Sequence, residues 1–280
     1  MTKVLGQTLN LKNFTTLKVG GPAEVWEVEE PLDLKEATKE SCKVIGAGSN
    51  LLVSDEGVKE RVIKLGQSFN SLKAFTNQKD IWLGASTPLP GLIRRAQQAG
   101  LSGLEGLLGV PAVLGGATAM NAGTRFGEMS DTLEEVEVFI SGSLERLPAS
   151  ALGLRYRHSD IPEGAIITRV RLKLTESTPE NVQAKLDQVD AARKGQPKQK
   201  SAGCAFKNPV GHSAGKLIDK AGLKGTKVGD AMVSLEHGNF IVNLGNATAK
   251  DVIALLDLIR QRLKIQSNHS VVLETEWQLW

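Results

Sequence analysis

The sequence predicts an α+β fold with more than one domain. Short apolar runs with the alternation of strands are mixed with apolar stripes at helical spacing. The chain has 280 residues, which exceeds the size at which one core usually divides, so we expect two or three domains. With 41% hydrophobic and 23% charged residues, the composition is that of an ordinary globular protein rather than a disordered one.

Charge, hydropathy and cysteine content argue against several classes of protein. The formal charge is only +3, and a nucleic-acid-binding protein usually carries a larger excess. Residues 1–16 lack an apolar signal core and no 18 apolar residues run together, so we expect a cytoplasmic protein without membrane insertion. Cys42 and Cys204 provide neither a disulfide framework nor a paired metal spacing, so we expect reduced thiols and no metal.

The first segment, residues 1–66, is predicted to be a small α+β unit. Strands are expected at 23–29, 43–46 and 61–65, and a helix at 32–40 after Pro31. Residues 46–50 read G-A-G-S-N, a turn whose backbone N–H groups can hold a phosphate. The third glycine of a Rossmann fingerprint is missing and no amphipathic helix follows, so a plain turn is the alternative.

The second segment, residues 67–176, is unusually rich in glycine. Strands are expected at 81–84, 135–140 and 165–175, and a helix at 88–99. Residues 100–127 contain eight glycines, each of which costs about 0.5–1 kcal/mol relative to alanine in regular structure. This density favours close approach of the backbone to a large cofactor, and tight packing of small residues is the alternative. The pair Tyr156 and Arg157 lies in a loop between strands, where surface exposure is the ordinary interpretation.

The third segment, residues 177–269, combines a basic turn with helices. Helices are expected at 179–194, from Ser213 to Gly222, and from residue 248 onward with an apolar stripe, and strands at 240–244 and 271–280. Residues 191–218 contain no Asp or Glu, and Cys204 lies among their lysines and arginines. Nearby cations lower a thiol pKa, so this pattern indicates an anion site that contains a thiol. A small apolar filler is the alternative for Cys204.

Seven motifs in this order resemble one family, the UDP-N-acetylenolpyruvoylglucosamine reductases of bacterial peptidoglycan synthesis, often called MurB. The resemblance covers essentially the whole chain, and the third motif is completed by G-G-A at 115 and N-A-G at 121. The motifs start at residues 15, 46, 103, 156, 201, 237 and 273 and read T-T-L-K-V-G-G-P-A, G-A-G-S-N-L-L, G-L-E-G-L-L-G-V-P, Y-R-H-S, S-A-G-C-A-F-K-N-P, H-G-N-F-I-V-N and L-E-T-E.

The resemblance implies an organisation and an activity. It implies a two-part FAD-binding region of the PCMH/vanillyl-alcohol-oxidase type at 1–66 and 67–176, and a separate α+β substrate-binding domain at 177–269, with a C-terminal strand 270–280 returning near the second part. The implied reaction is the NADPH-driven reduction of UDP-N-acetylglucosamine enolpyruvate to UDP-N-acetylmuramate through noncovalent FAD. The chain is short around its second and third segments, which resembles the subgroup without an extra substrate-covering loop.

The resemblance also implies site residues. Arg157 matches the active-site arginine, Glu276 the catalytic glutamate, and Cys204 the proton donor, a position that is commonly serine in the family. The residues implied for FAD are Gly46, Ala47, Gly48, Ser49, Asn50, Leu51, Gly109, Val110, Pro111, Gly115, Gly116, Ala117, Asn121, Ala122 and Gly123. Those implied for the nucleotide-sugar substrate are Tyr156, Arg193, Lys194, Lys207, Asn208 and His237.

Two other functions compete with this interpretation. A flavin oxidase of the same fold would have no need of a general acid in an anion site. A nucleotide-binding or RNA-binding protein without chemistry would leave the glycine-rich half unexplained. The four histidines are His158, His212, His237 and His269, so no histidine is available in the first 157 residues to attach a flavin covalently.

Overall fold

The computed structural model describes residues 6–266 and 271–280, and it confirms the α+β fold class. The sequence-based domain boundary at 269–270, His269 and residues 1–5 lie outside the described residues. The helices are α1 (Leu34–Ala37), α2 (Leu89–Gln98), α3 (Leu114–Ala119), α4 (Pro179–Arg193), α5 (Ala214–Lys220) and α6 (Ala249–Gln266). The strands are β1 (Gln7–Asn10), β2 (Pro22–Val28), β3 (Cys42–Val44), β4 (Leu51–Leu52), β5 (Arg61–Leu65), β6 (Asp80–Gly84), β7 (Leu101–Ser102), β8 (Gly123–Thr124), β9 (Gly127–Glu128), β10 (Leu133–Ile140), β11 (Ser143–Pro148), β12 (Ile166–Lys173), β13 (Thr175–Glu176), β14 (Lys200–Cys204), β15 (Lys227–Val228), β16 (Ala231–Val233), β17 (Phe240–Asn243) and β18 (Gln278–Leu279).

The described residues form two compact units. The first contains residues 6–7, 25–47 and 60–194, and the second contains residues 8–24, 48–59, 195–266 and 271–280. Within the described residues, no helix combines the length and the apolarity that a bilayer-spanning helix needs.

An antiparallel sheet of order β11-β10-β12-β6 organises most of the first unit. Along β12, Val170 and Leu172 are buried while Arg169 and Lys173 are exposed, so buried and exposed residues alternate in the second half of the strand. Helix α2 covers the apolar side of the sheet with Leu89, Leu92, Ile93 and Ala96. This burial of apolar side chains supplies the core around which the loops of this unit are arranged.

The predicted helix at 32–40 is shorter than the sequence suggests. A 3₁₀ turn at Pro31–Asp33 leads into α1, which ends after four residues. The hydroxyl of Thr38 donates to the carbonyl of Leu34 at 2.7 Å, and the buried Arg61 donates to the carbonyls of Glu36 and Ala37 at 3.1 and 2.9 Å. Arg61 thus occupies the carbonyls of Glu36 and Ala37, which a further helical turn would need as acceptors, so the helix ends.

Helix α3 lies inside the glycine-rich stretch, where sequence patterning predicts no helix. Leu114 and Ala117 are fully buried in the core of the first unit. The N–H of Gly115 donates to the carbonyl of Ala85 at 2.8 Å, and a Cβ at Gly115 would lie 2.8 Å from the Cβ of Ala85. Glycine therefore permits the close contact that holds this helix in place, and tertiary packing overrides the low helix propensity.

The second unit is built on a four-stranded antiparallel sheet of order β14-β17-β16-β15 with α6 packed against it. The predicted apolar stripe of α6 is confirmed as core, with Val252, Leu255, Leu256, Ile259 and Leu263 all buried. Asp55 accepts hydrogen bonds from the first N–H groups of this helix, at Ala249 and Lys250, which is the electrostatically favoured end for a carboxylate.

The continuous strand predicted at 271–280 is wrong in extent, because the chain changes partners within it. The N–H of Glu276 donates to the carbonyl of Ala205 at 2.9 Å, whereas the N–H of Gln278 donates to the carbonyl of Asn50 at 3.0 Å. Only β18 forms a regular strand there, parallel to β4. Trp277 is buried, but Leu279 is 59% exposed, so the buried face of this segment does not extend to residue 279.

Candidate active site

The first unit contains a cavity of about 270 Å³ between the parallel strands β3 and β5, the end of β6 and helix α3. Its volume lies just below the range of ligand pockets, about 300–1,000 Å³. Three of the residues predicted to bind the cofactor, Gly46, Gly115 and Gly116, line it. A Cβ added at Gly116 would have one neighbour within 4 Å, a methyl group of Val113 at 3.8 Å. This helical position therefore faces open space. The backbone here is accessible to a bound group, which fits the demand of FAD for close approach to the main chain.

Several residues of this cavity are not predicted from the sequence. Ser86 and Asn70 contribute polar groups, and Ile161, Ile166 and Ile167 contribute apolar surface. Ser86 lies two residues after the end of β6, and its hydroxyl donates to the carbonyl of Gly66 at 2.8 Å. A polar residue at the end of a buried strand is the one sequence signal that points to this position.

The predicted phosphate-binding turn divides between the units, with Gly46 and Ala47 in the first and Gly48, Ser49, Asn50 and Leu51 in the second. Gly48 has φ +61°, and a Cβ there would lie 2.0 Å from the carbonyl oxygen of Phe14. Its own carbonyl accepts from the N–H of Thr16 at 3.0 Å. Glycine is required at this position both by the left-handed backbone and by the close approach.

A tight hairpin in the first unit carries Arg157. Arg155 and His158 exchange backbone hydrogen bonds of 3.1 and 2.9 Å, which leaves Tyr156 and Arg157 at the two turn positions. Arg157 has φ +56°, an uncommon conformation for a residue with a side chain. Its Nη2 donates to the carbonyl of Gly123 at 2.5 Å, and its guanidinium lies 5.0 Å from the ring centroid of Tyr156.

Asn121 connects this hairpin to the glycine-rich stretch. Its side chain is fully buried and donates to the carbonyl of Arg155 at 3.2 Å and to the carboxylate of Glu128 at 2.9 Å. It also accepts from the N–H of Ser130. The structure therefore brings the predicted residues Asn121, Gly123 and Arg157 into one cluster, and the Asn121 side chain is used in holding it.

Asp160 contacts both residues that close the same hairpin, Arg155 and His158. It accepts from the Arg155 guanidinium at 3.0 Å and contacts Nε2 of His158 at 2.6 Å. The hydrogen bond from His158, followed by that from Arg155, lowers the pKa of the Asp160 carboxyl. The aspartate is therefore ionised near neutral pH and holds both strands of the hairpin.

Arg193, at the end of α4, contacts the glycine-rich stretch. Its Nη2 donates to the carbonyl of Gly109 at 2.9 Å, and a Cβ at Gly109 would meet its guanidinium. Lys194 is the C-cap of the helix and is exposed. Of these two residues predicted for the substrate, Arg193 is thus linked to a residue predicted for the cofactor. Val110 and Pro111 follow Gly109, and Ala117 and Ala122 are buried in the core of this unit.

In the second unit, backbone pairing aligns the segments that carry Cys204 and Glu276. Cys204 ends β14, and the carbonyl of the next residue, Ala205, accepts from the N–H of Glu276. Lys207 pairs in the same way with the carbonyl of Glu274 at 2.9 Å. Both Cys204 and Glu276 are half-buried. The arrangement places a thiol and a carboxylate on neighbouring paired segments, although they are 72 positions apart in the sequence.

The predicted substrate residues of the second unit lie around this pairing. The Lys207 ammonium is 3.6 Å from the Glu274 carboxylate, and the Asn208 side chain accepts from the N–H of Ala214. His237 Nδ1 accepts from the N–H of Asn239 at 3.2 Å, so its neutral form carries the proton on Nε2. Burial, followed by the charge of Lys224, lowers the pKa of His237.

The chain matches two family models that together span most of its length. The model described as UDP-N-acetylenolpyruvoylglucosamine reductase, C-terminal domain, matches residues 196–280. The model described as FAD binding domain matches residues 19–143. The second match includes the cavity glycines, and it confirms that this part of the α+β fold is an FAD-binding domain.

Full-length relatives match the chain from end to end. A UDP-N-acetylenolpyruvoylglucosamine reductase from Thermus thermophilus is 57% identical over 270 residues, which cover 96% of this chain and 97% of the relative. One from Deinococcus radiodurans is 51% identical over 279 residues, with 96% and 94% covered. The crystal structure of UDP-N-acetylenolpyruvylglucosamine reductase (MurB) from Thermus caldophilus has a TM-score of 0.92 at 55% identity, with 99% of each chain covered. The chain therefore belongs to the UDP-N-acetylenolpyruvoylglucosamine reductase family.

Proposed function

We propose that this chain reduces UDP-N-acetylglucosamine enolpyruvate to UDP-N-acetylmuramate, with noncovalently bound FAD and with NADPH as the reductant. Membership of the reductase family supports the reaction. The observation that carries the proposal is the backbone pairing that brings the segments of Cys204 and Glu276 together, because the second half of such a reduction needs a proton donor at the site. The reaction supplies a peptidoglycan precursor and belongs in the cytoplasm, where its reductant is found.

FAD, when bound, would supply hydride-transfer chemistry between NADPH and the enolpyruvyl double bond. A hydride and a proton must both add across this bond, so the protein has to stabilise negative charge on the substrate and deliver one proton. The predicted FAD residues that line the cavity, Gly46, Gly115 and Gly116, would hold the cofactor, and the open space at Gly116 would let it approach the backbone there. Charge stabilisation and proton delivery would be carried out by three side chains, those of Arg157, Cys204 and Glu276.

Arg157 would hold the substrate carboxylate and stabilise the enolate that hydride addition creates. A guanidinium is a permanent cation with a planar fork that matches a carboxylate. One nitrogen of the fork is anchored by the Gly123 carbonyl, so the group has a defined orientation before substrate arrives. A preorganised charge of this kind contributes more to the rate than a mobile one.

Cys204 would then protonate the carbon of the enolate as a general acid. This role requires the neutral thiol, so the cations of residues 191–218 must not ionise it completely. Glu276, on the paired segment, would orient the substrate or share the proton. Tyr156, Arg193, Lys194, Lys207, Asn208 and His237 are the residues proposed to bind the nucleotide sugar.

Anaerobic stopped-flow absorbance of the flavin tests this function. We expect NADPH to bleach the flavin, and the enolpyruvyl nucleotide to restore its colour much faster than oxygen does. Acid precipitation should release all of the flavin into the supernatant, since the proposal requires no covalent bond. A reduced flavin that oxygen reoxidises rapidly and the enolpyruvyl nucleotide does not would favour the oxidase alternative.

A further inference from the structure

Phe206 lies at the centre of the pairing that aligns Cys204 with Glu276. It opposes Thr275 in an antiparallel bridge, and the flanking hydrogen bonds come from Lys207 to Glu274 and from Glu276 to Ala205. In such a non-hydrogen-bonded pair, the N–H and the carbonyl of the central residue point away from the partner strand. Phe206 is 1% exposed, so both of these polar groups need a partner within the protein.

The side chain of Asn239 supplies both partners. Its Oδ1 accepts from the N–H of Phe206 at 3.0 Å, and its Nδ2 donates to the carbonyl of Phe206 at 2.8 Å. Its own backbone carbonyl accepts from the N–H of Ala205 at 2.8 Å. Asn239 is 3% exposed. The Asn239 side chain therefore pairs with the backbone of Phe206 as a neighbouring strand would, and its backbone carbonyl pairs with Ala205. Both residues follow immediately after Cys204.

The opposite side of the bridge is held by Arg260 of α6. Its guanidinium donates to the hydroxyl of Thr275 and, at 3.3 Å, to the carbonyl of Leu273, and it lies 5.4 Å from the ring centroid of Phe206. Asn239 fixes the segment that carries Cys204, and Arg260 fixes the segment that carries Glu276. The two segments meet at the bridge between Phe206 and Thr275.

We propose that Asn239 is a positioning residue that sets where the Cys204 thiol sits relative to Glu276. The expected effect on catalysis rests on the proposed function. The positioning of Cys204 itself rests only on contacts within the second unit. Only an amide, or a neutral carboxyl, presents one donor and one acceptor in this geometry. A carboxylate would accept from the N–H of Phe206 but would place an acceptor against its carbonyl.

The test compares Asn239→Ala with the matched control Asn243→Ala. Asn243 lies four positions further along, is 4% exposed, and donates to the carbonyl of Leu17 and accepts from Gly245 and Ala247, away from the bridge. We expect Asn239→Ala to slow flavin reoxidation by the enolpyruvyl nucleotide by roughly 10²-fold, as an ångström-scale misplacement does. Flavin reduction by NADPH should change less than about twofold, because positioning acts on the proton-delivery step alone. Equal losses in both half-reactions, or the same loss in Asn243→Ala, would overturn the proposal.

Asn239→Asp provides a second, nearly isosteric variant with a pH signature. At high pH its carboxylate repels the carbonyl of Phe206, whereas protonation restores one donor and one acceptor. The ratio of its reoxidation rate to that of Asn239→Ala should therefore rise as the pH falls. A constant ratio would contradict the positioning role. If Asn239→Ala does not fold, wild type replaces it as the reference: the ratio of the Asn239→Asp rate to the wild-type rate should also rise as the pH falls, and a constant ratio would overturn the proposal.

Alkylation of Cys204 separates this proposal from the proposed catalytic role. In a Cys42→Ser background, the rate of reaction with iodoacetamide reports the surroundings of the one remaining thiol. Asn239→Ala should change the rate and its pH dependence, and Asn243→Ala should leave both unchanged. If Cys204→Ala reoxidises at the wild-type rate, the proton-donor role fails, and the alkylation result alone then decides whether Asn239 positions the thiol. An unchanged alkylation profile overturns the proposal in either case.

Discussion

Arg157 shows what residue types in a pattern can and cannot predict. The motif Y-R-H-S implied its role through resemblance, whereas composition alone favoured an exposed arginine. Its φ of +56° and its anchor on Gly123 come from the hairpin closed by Arg155 and His158 and from the buried Asn121. The contacts with Gly123 and Asn121 each join residues 34 positions apart, so no local pattern in the sequence could predict them.

Replacing Arg157 with lysine keeps the charge and removes the fork. We expect Arg157→Lys to retain FAD and to lose about 10²- to 10³-fold in turnover, because one ammonium cannot hold both the Gly123 carbonyl and the substrate carboxylate in a fixed geometry. Arg155→Lys, in the same hairpin but directed to Asp160, is the matched control and should stay near wild type. Steady-state turnover and the flavin-to-protein ratio measure both effects. Near-normal turnover of Arg157→Lys would show that the fork has no role.

Because the pKa of His237 is lowered in the folded protein, we can predict the direction in which the free energy of unfolding changes with pH. The unfolded chain has the ordinary histidine pKa of 6.5, and burial places the folded value below it. Between these two values the unfolded state binds more protons, so the free energy of unfolding decreases as the pH falls through about 6.5. Urea unfolding at pH 7.5 and 5.5 should show a smaller decrease for His237→Gln than for wild type. Identical decreases in the two proteins would remove His237 as a source of this effect.

At the scale of elements, the sequence predicted the regular parts and failed where long-range contacts decide. Apolar residues recur at the helical spacing in α6 and at every second position in part of β12, and this periodicity identifies the buried face of each element. The end of α1 depends on Arg61, and the break in the predicted strand 271–280 depends on a change of partner from Ala205 to Asn50. Hydrophobic periodicity and secondary-structure propensity are local properties, and they do not predict hydrogen-bond partners that are distant in the sequence.

The two glycines of α3 should respond differently to alanine. Gly115→Ala places a Cβ 2.8 Å from that of Ala85, so we expect the FAD-free protein to lose about 1–3 kcal/mol of unfolding free energy. Gly116→Ala meets open space and should keep or gain up to about 1 kcal/mol, as alanine favours a helix. Its effect should appear instead as weaker FAD binding, because Gly116 lines the cavity. Denaturant unfolding and FAD titration of both variants measure the contrast, and equal destabilisation would contradict it.

At the scale of the whole molecule, the order of seven motifs predicted the family, the α+β class and the FAD-binding domain, and the comparisons confirm all three. The domain boundaries and the roles of the site residues stay predictions. The glycine-rich stretch is accounted for both by a cavity with accessible backbone and by tight packing, so the two interpretations of its glycines apply to different positions. Gly115 is required by packing and Gly116 faces the cavity.

The central claim is that the Cys204 thiol delivers the proton, and single-turnover reoxidation of the flavin by the enolpyruvyl nucleotide tests it most directly. We expect Cys204→Ala to leave reduction by NADPH nearly intact and to slow reoxidation by about 10²- to 10⁴-fold, the usual contribution of a general acid. Cys204→Ser should recover part of the rate and lose any alkaline decline caused by thiol ionisation, since a hydroxyl stays protonated. Equal reoxidation rates for wild type, Cys204→Ala and Cys204→Ser across pH would contradict the claim and leave Cys204 as a packing residue.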